Sequence, residues 1–336
     1  MDEPSIAPLV TIGMPVYNGA THIERALKAL IQQTYKNLEI IVSDNKSSDA
    51  TCQKVLEIAK TDSRIRLIKS ESNIGIIGNF NKVVMNSKGE YFMWAAHDDE
   101  HGLEFVEKCL EVLQNNPDCV LSAPDMFMLD VNGIDFVWKA TLRSFADKVK
   151  ITERFRESLY NFPAVAMYGL YSKGAMIKAG LLPKAIGGDM LFIQRLSLQG
   201  EFRSASSTSF IRHGRKEWNT QKQDRVAFFG DSDGPNSNSI FLYNCLLQIK
   251  YLVQHKYNSF LQKSFLLFIY SKYIFRDFST KVVIHVANVM NIHVNKSFVR
   301  YIYEKRLSNT NTTVIDEAIF YERIILPQVF RKQIKG

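Results

Sequence analysis

The chain has 336 residues, 46% hydrophobic and 23% charged, ordinary globular values for a length that supports one large domain and an accessory region. Its net charge of +8 is carried by residues 236–336, where 14 Lys and Arg face 5 Asp and Glu; residues 1–235 net −1, which argues against a protein built around nucleic acid. No stretch approaches the roughly 18 uninterrupted apolar residues of a membrane-spanning helix. The scattered Cys52, Cys109, Cys119 and Cys245 form neither a zinc pattern nor a disulfide framework.

Leu9 to Met14 reads as a buried strand, closed by the loop Pro15-Val16-Tyr17-Asn18-Gly19. Ile23, Ala26, Leu27, Leu30 and Ile31 then fall on one face of a helix. Leu38 to Val42 is a second strand ending in Ser43-Asp44-Asn45, and Ser47, Ser48 and Asp49 offer N-caps for a helix through Val55, Leu56 and Ala59. Ile65 to Ile68 is a third strand, followed by the turn Asn73-Ile74-Gly75 and a helix from Ile76 to Met85. Tyr91 to Ala96 is the fourth, and a helix carrying Leu103, Val106, Leu110 and Leu113 completes four β-α units. The expected fold is therefore α/β, a mainly parallel sheet with helices on both faces.

Beyond Pro117 the pattern loosens. Val120 to Ala123 is expected as a strand, Asp130-Val131-Asn132-Gly133 as a hairpin turn between arms at 127–129 and 136–138, and helices near 152–160, 174–179 and 187–198. Residues 213–238 are polar and loop-like. From Ile240 the chain reads as helical, basic and aromatic. That mixture suits either an interfacial helix on an anionic membrane, a face packed on the core, or a dimer contact. The expected division is a domain of residues 1–235, with halves meeting near 117, and a helical region of residues 236–336. The start Met1-Asp2-Glu3-Pro4 lacks a secretory leader, so the expected location is cytoplasmic, peripheral at the inner face of the cell membrane.

Four features fall at successive strand ends: Pro15-Val16-Tyr17-Asn18, Asp44-Asn45, Asn73-Ile74-Gly75 and Asp98-Asp99. In a parallel sheet these ends share one crevice, where ligands bind. An aromatic face, a lone carboxylate, a glycine turn and a carboxylate pair suit a nucleotide diphosphate with a divalent ion. The first loop lacks the G-x-G-x-x-G of a dinucleotide fold, which sets a dehydrogenase aside.

The run from Val10 to Gly19, with Gln33-Thr34-Tyr35, Glu39 to Asp49, Asn73-Ile74-Gly75, Lys88-Gly89-Glu90-Tyr91 and Asp98-Asp99, resembles the amino-terminal half of family-2 glycosyltransferases of the GT-A fold. The resemblance covers residues 8 to about 200. It implies a nucleotide-sugar donor, a UDP-sugar, a Mn²⁺ or Mg²⁺ ion, and inverting transfer to a glycan or lipid-linked saccharide. By that resemblance Pro15, Tyr17 and Asn18 border the nucleotide, Tyr17 stacks on the base, Asp44 reads it, and Asn73 and Gly75 lie near it. Asp98 contacts the ribose and shares the metal with Asp99, while His213 completes the metal shell and Arg215 or Lys216 neutralises the leaving group. Asp189 is the general base, with Asp125 and Asp130 as rivals. The chain departs from the pattern at Ala96, two positions before the pair, and at Gly188, where relatives carry an acid. A non-catalytic scaffold that binds a nucleotide sugar is the other reading.

Overall fold

The computed structural model describes residues 7–129, 136–142, 150–160, 164–213, 240–255 and 259–289. Strands β1 (Val10–Val16), β2 (Leu38–Asp44), β3 (Ile65–Lys69) and β4 (Tyr91–Trp94) form a parallel half-sheet in the order β3-β2-β1-β4, interleaved with helices α1 (Ile23–Ile31), α2 (Thr51–Ala59) and α3 (Gly75–Met85). Every residue of β1 is buried, as expected for a strand covered on both faces. The sheet continues through β8 (Leu170–Ser172), β6 (Cys119–Leu129), β9 (Glu201–His213) and β5 (Glu100–His101), with β7 (Phe136–Ala140) beside β6. This second half is mixed: β6 and β9 run parallel, whereas β4–β8, β6–β8, β6–β7 and β5–β9 are antiparallel. Helices α4 (Phe105–Gln114), α5 (Ile151–Tyr160), α6 (Lys173–Ala179) and α7 (Gly188–Leu196) accompany it.

Three expectations shift. Pro15 and Val16 belong to β1 rather than to the loop. Gly13 O accepts the Ala95 N–H on the β4 side, and β4 pairing stops at Gly13–Trp94, so the N–H that Pro15 lacks falls two residues on, where no ladder bond is needed. The fourth strand ends at Trp94, not Ala96. The N-cap position of α2 is Ala50, not Ser47, Ser48 or Asp49, although Asp49 Oδ1 accepts the N–H of Thr51, the first residue of the helix, at 3.0 Å. All three residues also bind the preceding loop: Asn18 N–H donates to Ser47 Oγ (2.8 Å), Ser48 N–H to Asn18 Oδ1 (2.9 Å), and Ala20 N–H to Asp49 Oδ2 (3.0 Å). The hairpin arms pair as expected, while its turn at residues 130–133 lies outside the described residues.

An aromatic cluster under the sheet's carboxyl edge fixes the geometry above it. Trp94 meets Phe92, Tyr171 and Phe192 edge-on at 5.3, 5.4 and 5.5 Å, and its indole N–H donates to Phe80 O at 3.0 Å. Each such ring pair contributes about 0.5–1.5 kcal/mol beyond burial. Because Phe192 lies on α7, the same cluster holds β4 and α7 together. Gly89 lets the chain enter β4 closely: a Cβ there would stand 2.6 Å from Thr11 N and 2.7 Å from Leu9 O, both backbone.

The chain divides into two units, residues 1–269 and 270–336. Helix α8 (Ile240–Gln254) belongs to the first, and α9 (Phe260–Val289) runs across the boundary. Among the described residues no helix is long and apolar enough to cross a membrane.

Candidate active site

The carboxyl ends of β1, β2 and β3 carry one wall of the site. Tyr17 follows β1 with its side chain about half exposed (49%), and Asn18 adopts a left-handed conformation (φ 51°) that asparagine tolerates. Asp44 is 2% exposed; its Oδ2 accepts the Ser47 N–H at 3.1 Å, whereas Oδ1 is buried without a hydrogen-bond partner. Burial and the neighbouring Asp44 carboxylate push the Cys52 thiol up. Asn45, buried beside Asp44, shapes the next loop: its Nδ2 donates to Asn73 Oδ1 (2.8 Å) and its Oδ1 accepts the Ile74 N–H (2.9 Å). Asn73 Oδ1 also accepts the Gly75 N–H, and Gly75 takes a positive φ of 76° that its lack of a side chain permits. Asn79 on α3 ties the β2 end down, donating to Ser43 O (2.9 Å) and accepting from Ser43 Oγ (2.6 Å). Neither Asn45 nor Asn79 was singled out as a supporting residue from sequence, although Asn45 stands next to the residue that was.

The second wall is built by a pairing of distant segments. Glu100–His101 forms β5 against Ile211 and Phe210 of β9, which carries Arg212 and His213 to the Asp98-Asp99 pair. Asp99, 3% exposed, accepts the His213 backbone N–H at Oδ1 (3.3 Å). His213 Nε2 lies 2.8 Å from Glu100 Oε1, and Arg25 Nε reaches the same oxygen at 3.1 Å while its Nη2 donates to Asp98 O at 2.9 Å. Arg25 on α1 thus pins the acidic segment through both a main-chain and a side-chain contact. His101 is buried against the Phe105 and Phe210 rings, and burial depresses its pKa to about 3, so it is a neutral packing residue. His97 is half-buried over Gly19, where a Cβ would stand 2.6 Å from its ring.

Asp189 closes the constellation. It sits in the first turn of α7, behind the N-cap Gly187, and is half-buried. Burial holds its carboxyl above the ordinary range, against the opposing pull of the Met190 N–H and of Arg212. Gly188 has a steric cause: a Cβ there would stand 2.5 Å from Pro183 O, so this backbone has no room for the acid expected there from the family resemblance. Arg212, which sequence reasoning passed over, is the cation of the site. Its guanidinium lies 5.7 Å from the Tyr168 ring centre, and Tyr168, then Asp99, Asp98 and Asp189, raise its pKa against the effect of burial. The rival Asp125 is committed elsewhere, accepting from Thr141 Oγ1 (2.7 Å) and pairing with Lys139 (2.6 Å). Asp130, Arg215 and Lys216 lie outside the described residues. Among the described residues no three His, Cys, Asp or Glu side chains are gathered as a self-sufficient metal cluster.

Residues 11–177 match the family model Glycosyl transferase family 2. An uncharacterized glycosyltransferase of Haemophilus influenzae is 36% identical over 109 residues, 32% of this chain and 34% of that protein. Glycosyltransferase GlyA of Streptococcus pneumoniae is 28% identical over 174 residues, 51% of this chain and 25% of that protein. The match thus spans about a third or less of these relatives' own lengths. The solved structure of S. aureus TarS 1-349 in complex with UDP-GlcNAc superposes with a TM-score of 0.61 at 15% identity, covering 88% of this chain and 80% of that one. That likeness establishes the fold, a GT-A-like α/β sheet. The matched segment carries β1 to β4, the acidic pair and β5 to β8, and by it the chain belongs to glycosyl transferase family 2.

Proposed function

We propose that the protein is an inverting glycosyltransferase that moves a sugar from a UDP-sugar to a hydroxyl of a saccharide or lipid-linked saccharide. The observation that carries this reading is the gathering of Asp98, Asp99 and Asp189 within electrostatic reach of Arg212, beside the β5–β9 pairing. On the nucleotide side, the unpartnered Asp44 Oδ1 suits a donor N–H of a base, since a buried acceptor left unmade costs about 1–3 kcal/mol. Tyr17 offers an exposed ring for stacking. In the reaction the acceptor oxygen bonds to the anomeric carbon as the bond to the β-phosphate oxygen breaks. Asp189 takes the acceptor hydroxyl's proton, and its raised pKa brings it closer to the range of an effective base. Arg212 supplies positive charge beside the departing diphosphate.

The donor set fits Mn²⁺ or Mg²⁺. Such ions need only one or two protein carboxylates when phosphate oxygens and water fill the remaining positions, and Asp98 and Asp99 provide these. His213, whose Nε2 lies 2.8 Å from Glu100 Oε1, the carboxylate support that a ligating histidine would have, would be the further protein donor. A bound ion would stabilise the negative charge of the leaving diphosphate. The reading is tested by thermal shift with UDP-, GDP- and dTDP-sugars with and without Mn²⁺. Stabilisation by UDP-sugars that grows with the metal is expected; stabilisation by none of them would overturn the donor assignment, and stabilisation without any sugar transfer would favour the scaffold reading.

The carboxyl-terminal helices support a second, separable proposal: contact with an anionic membrane surface. Phe260 and Leu261 on α9 are 83% and 78% exposed, with Phe265, Phe268, Leu242, Leu246 and Val253 exposed as well, in the region that carries +9. Full-length protein should float with phosphatidylglycerol vesicles but not with neutral ones, and Phe260→Glu with Leu261→Glu should reduce the bound fraction about tenfold or more, as two lost apolar anchors imply. Unchanged flotation of that variant would exclude the lipid contact; a variant that instead turns from dimer to monomer would assign the face to a second copy.

A further inference from the structure

We infer that α8, which lies beyond the segment matched by the family, is part of the catalytic apparatus and that Asn244 is a positioning residue for Asp189. The inference rests on the reading of Asp189 as the base. The loop before α7 is turned by two bonds of its own, Ala185 N–H to Pro183 O (2.7 Å) and Gly188 N–H to Ala185 O (3.0 Å). Gly187, its last residue, is a left-handed N-cap (φ 76°) with no capping side chain, and a glycine in that position leaves the backbone with wide freedom. The loop is held from outside at both ends. Asn81 on α3 grips the start, donating to Leu182 O (2.8 Å) and accepting the Leu182 N–H (3.1 Å). The end is gripped by α8: Asn244 Nδ2 donates to Ile186 O at 2.7 Å, three residues before Asp189, and Tyr243 OH reaches Lys184 O at 3.3 Å.

α8 can act as a fixed support because it is anchored along α7. Arg195, at the far end of α7, donates to Gln248 Oε1 (3.0 Å) and Leu247 O (3.3 Å), and its guanidinium lies 4.6 Å from the Tyr251 ring centre. One helix therefore holds both ends of the helix that opens on Asp189. Gly188 limits the slack at the end of the loop, since a Cβ there would meet Pro183 O at 2.5 Å, and the Asn244 bond ties this turn to α8. The carboxylate position is then a property of residues on both sides of the 214–239 segment.

The test uses the full chain with Asn244→Ala, and with Asn244→Asp, which keeps the size and loses the donor. Gln199→Ala serves as a control because it removes a 3.0 Å contact to His255 at the other end of α8. Hydrogen exchange of the amides of residues 187–191 should quicken about tenfold in both Asn244 variants and not in the control, as loss of one local restraint implies. UDP release from UDP-N-acetylglucosamine should fall about 10- to 100-fold in kcat, with the affinity for UDP unchanged, as expected for a group displaced by about an ångström. Wild-type exchange at 187–191 in both variants overturns the inference. Asp189→Asn, run in parallel, separates the two ideas: full turnover in it removes the base assignment, whereas a dead Asp189→Asn beside Asn244 variants with wild-type kcat removes only the positioning role.

Discussion

Replacing Asp189 by Asn is expected to abolish most of the transfer, by about 10²- to 10⁴-fold in kcat, while leaving nucleotide affinity intact and making the protein more stable at neutral pH. The two effects have one cause. Burial raises the Asp189 carboxyl above its ordinary value of 3.8, so between that value and the raised one the folded protein holds a proton that the unfolded chain has released. Stability therefore falls as pH rises through this window, because the charged form must be kept where water is scarce. An asparagine has no charge to desolvate. The difference in unfolding temperature between variant and wild type should be small below about pH 4 and grow as pH rises. The same shift places the acid limb of the wild-type kcat profile above that of an ordinary carboxylate. A variant that keeps its turnover, or a stability gap that does not change with pH, would count against a half-buried, ionised base at this position.

The half of the site that sequence alone made legible is the half built from local signals. Buried parallel strands are continuous apolar runs and their crossover helices carry an apolar face, so β1 to β4 and the loops at their carboxyl ends could be placed to within two residues. Asp44, Asn73, Gly75 and the Asp98-Asp99 pair followed from those loops. The rest depends on pairings between distant segments. β9 reads Glu-Phe-Arg-Ser-Ala-Ser-Ser-Thr-Ser-Phe-Ile-Arg-His, a polar stretch without clean alternation, and it is a strand because β6 lies parallel beside it and β5 antiparallel. β5 is two residues long and has no periodicity to detect. Arg212 gains its place only through these ladders, which is why a single arginine in a polar run carried no signal. The steric reason for Gly188 was equally invisible, since it depends on the carbonyl of Pro183 five residues earlier.

Asp99→Asn is expected to remove the metal-dependent part of nucleotide binding and leave the part that rests on the base. A ligand at 100 times its dissociation constant stabilises by about 2.7 kcal/mol, and each kcal/mol raises the unfolding temperature of a domain of this size by about 2–4 °C. For the wild type, UDP with Mn²⁺ should therefore give a shift of about 5–10 °C, and for the variant only what UDP gives without metal. Asparagine is the informative replacement because its side-chain oxygen still accepts the His213 N–H that Asp99 Oδ1 accepts, so the β5–β9 corner is retained and only the charge is lost. Alanine would also empty a nearly sealed position and leave the His213 N–H without its acceptor, a change that costs stability for reasons unrelated to metal. The comparison with Asp44→Asn completes the logic. That variant should weaken UDP with and without Mn²⁺ alike, because Asp44 lies at the end of β2 with an unpartnered oxygen of its own and takes no part in the Arg212 cluster. If instead Asp99→Asn loses UDP binding in the absence of metal as well, Asp99 is a direct nucleotide contact, and the ion, if any, is held by other oxygens.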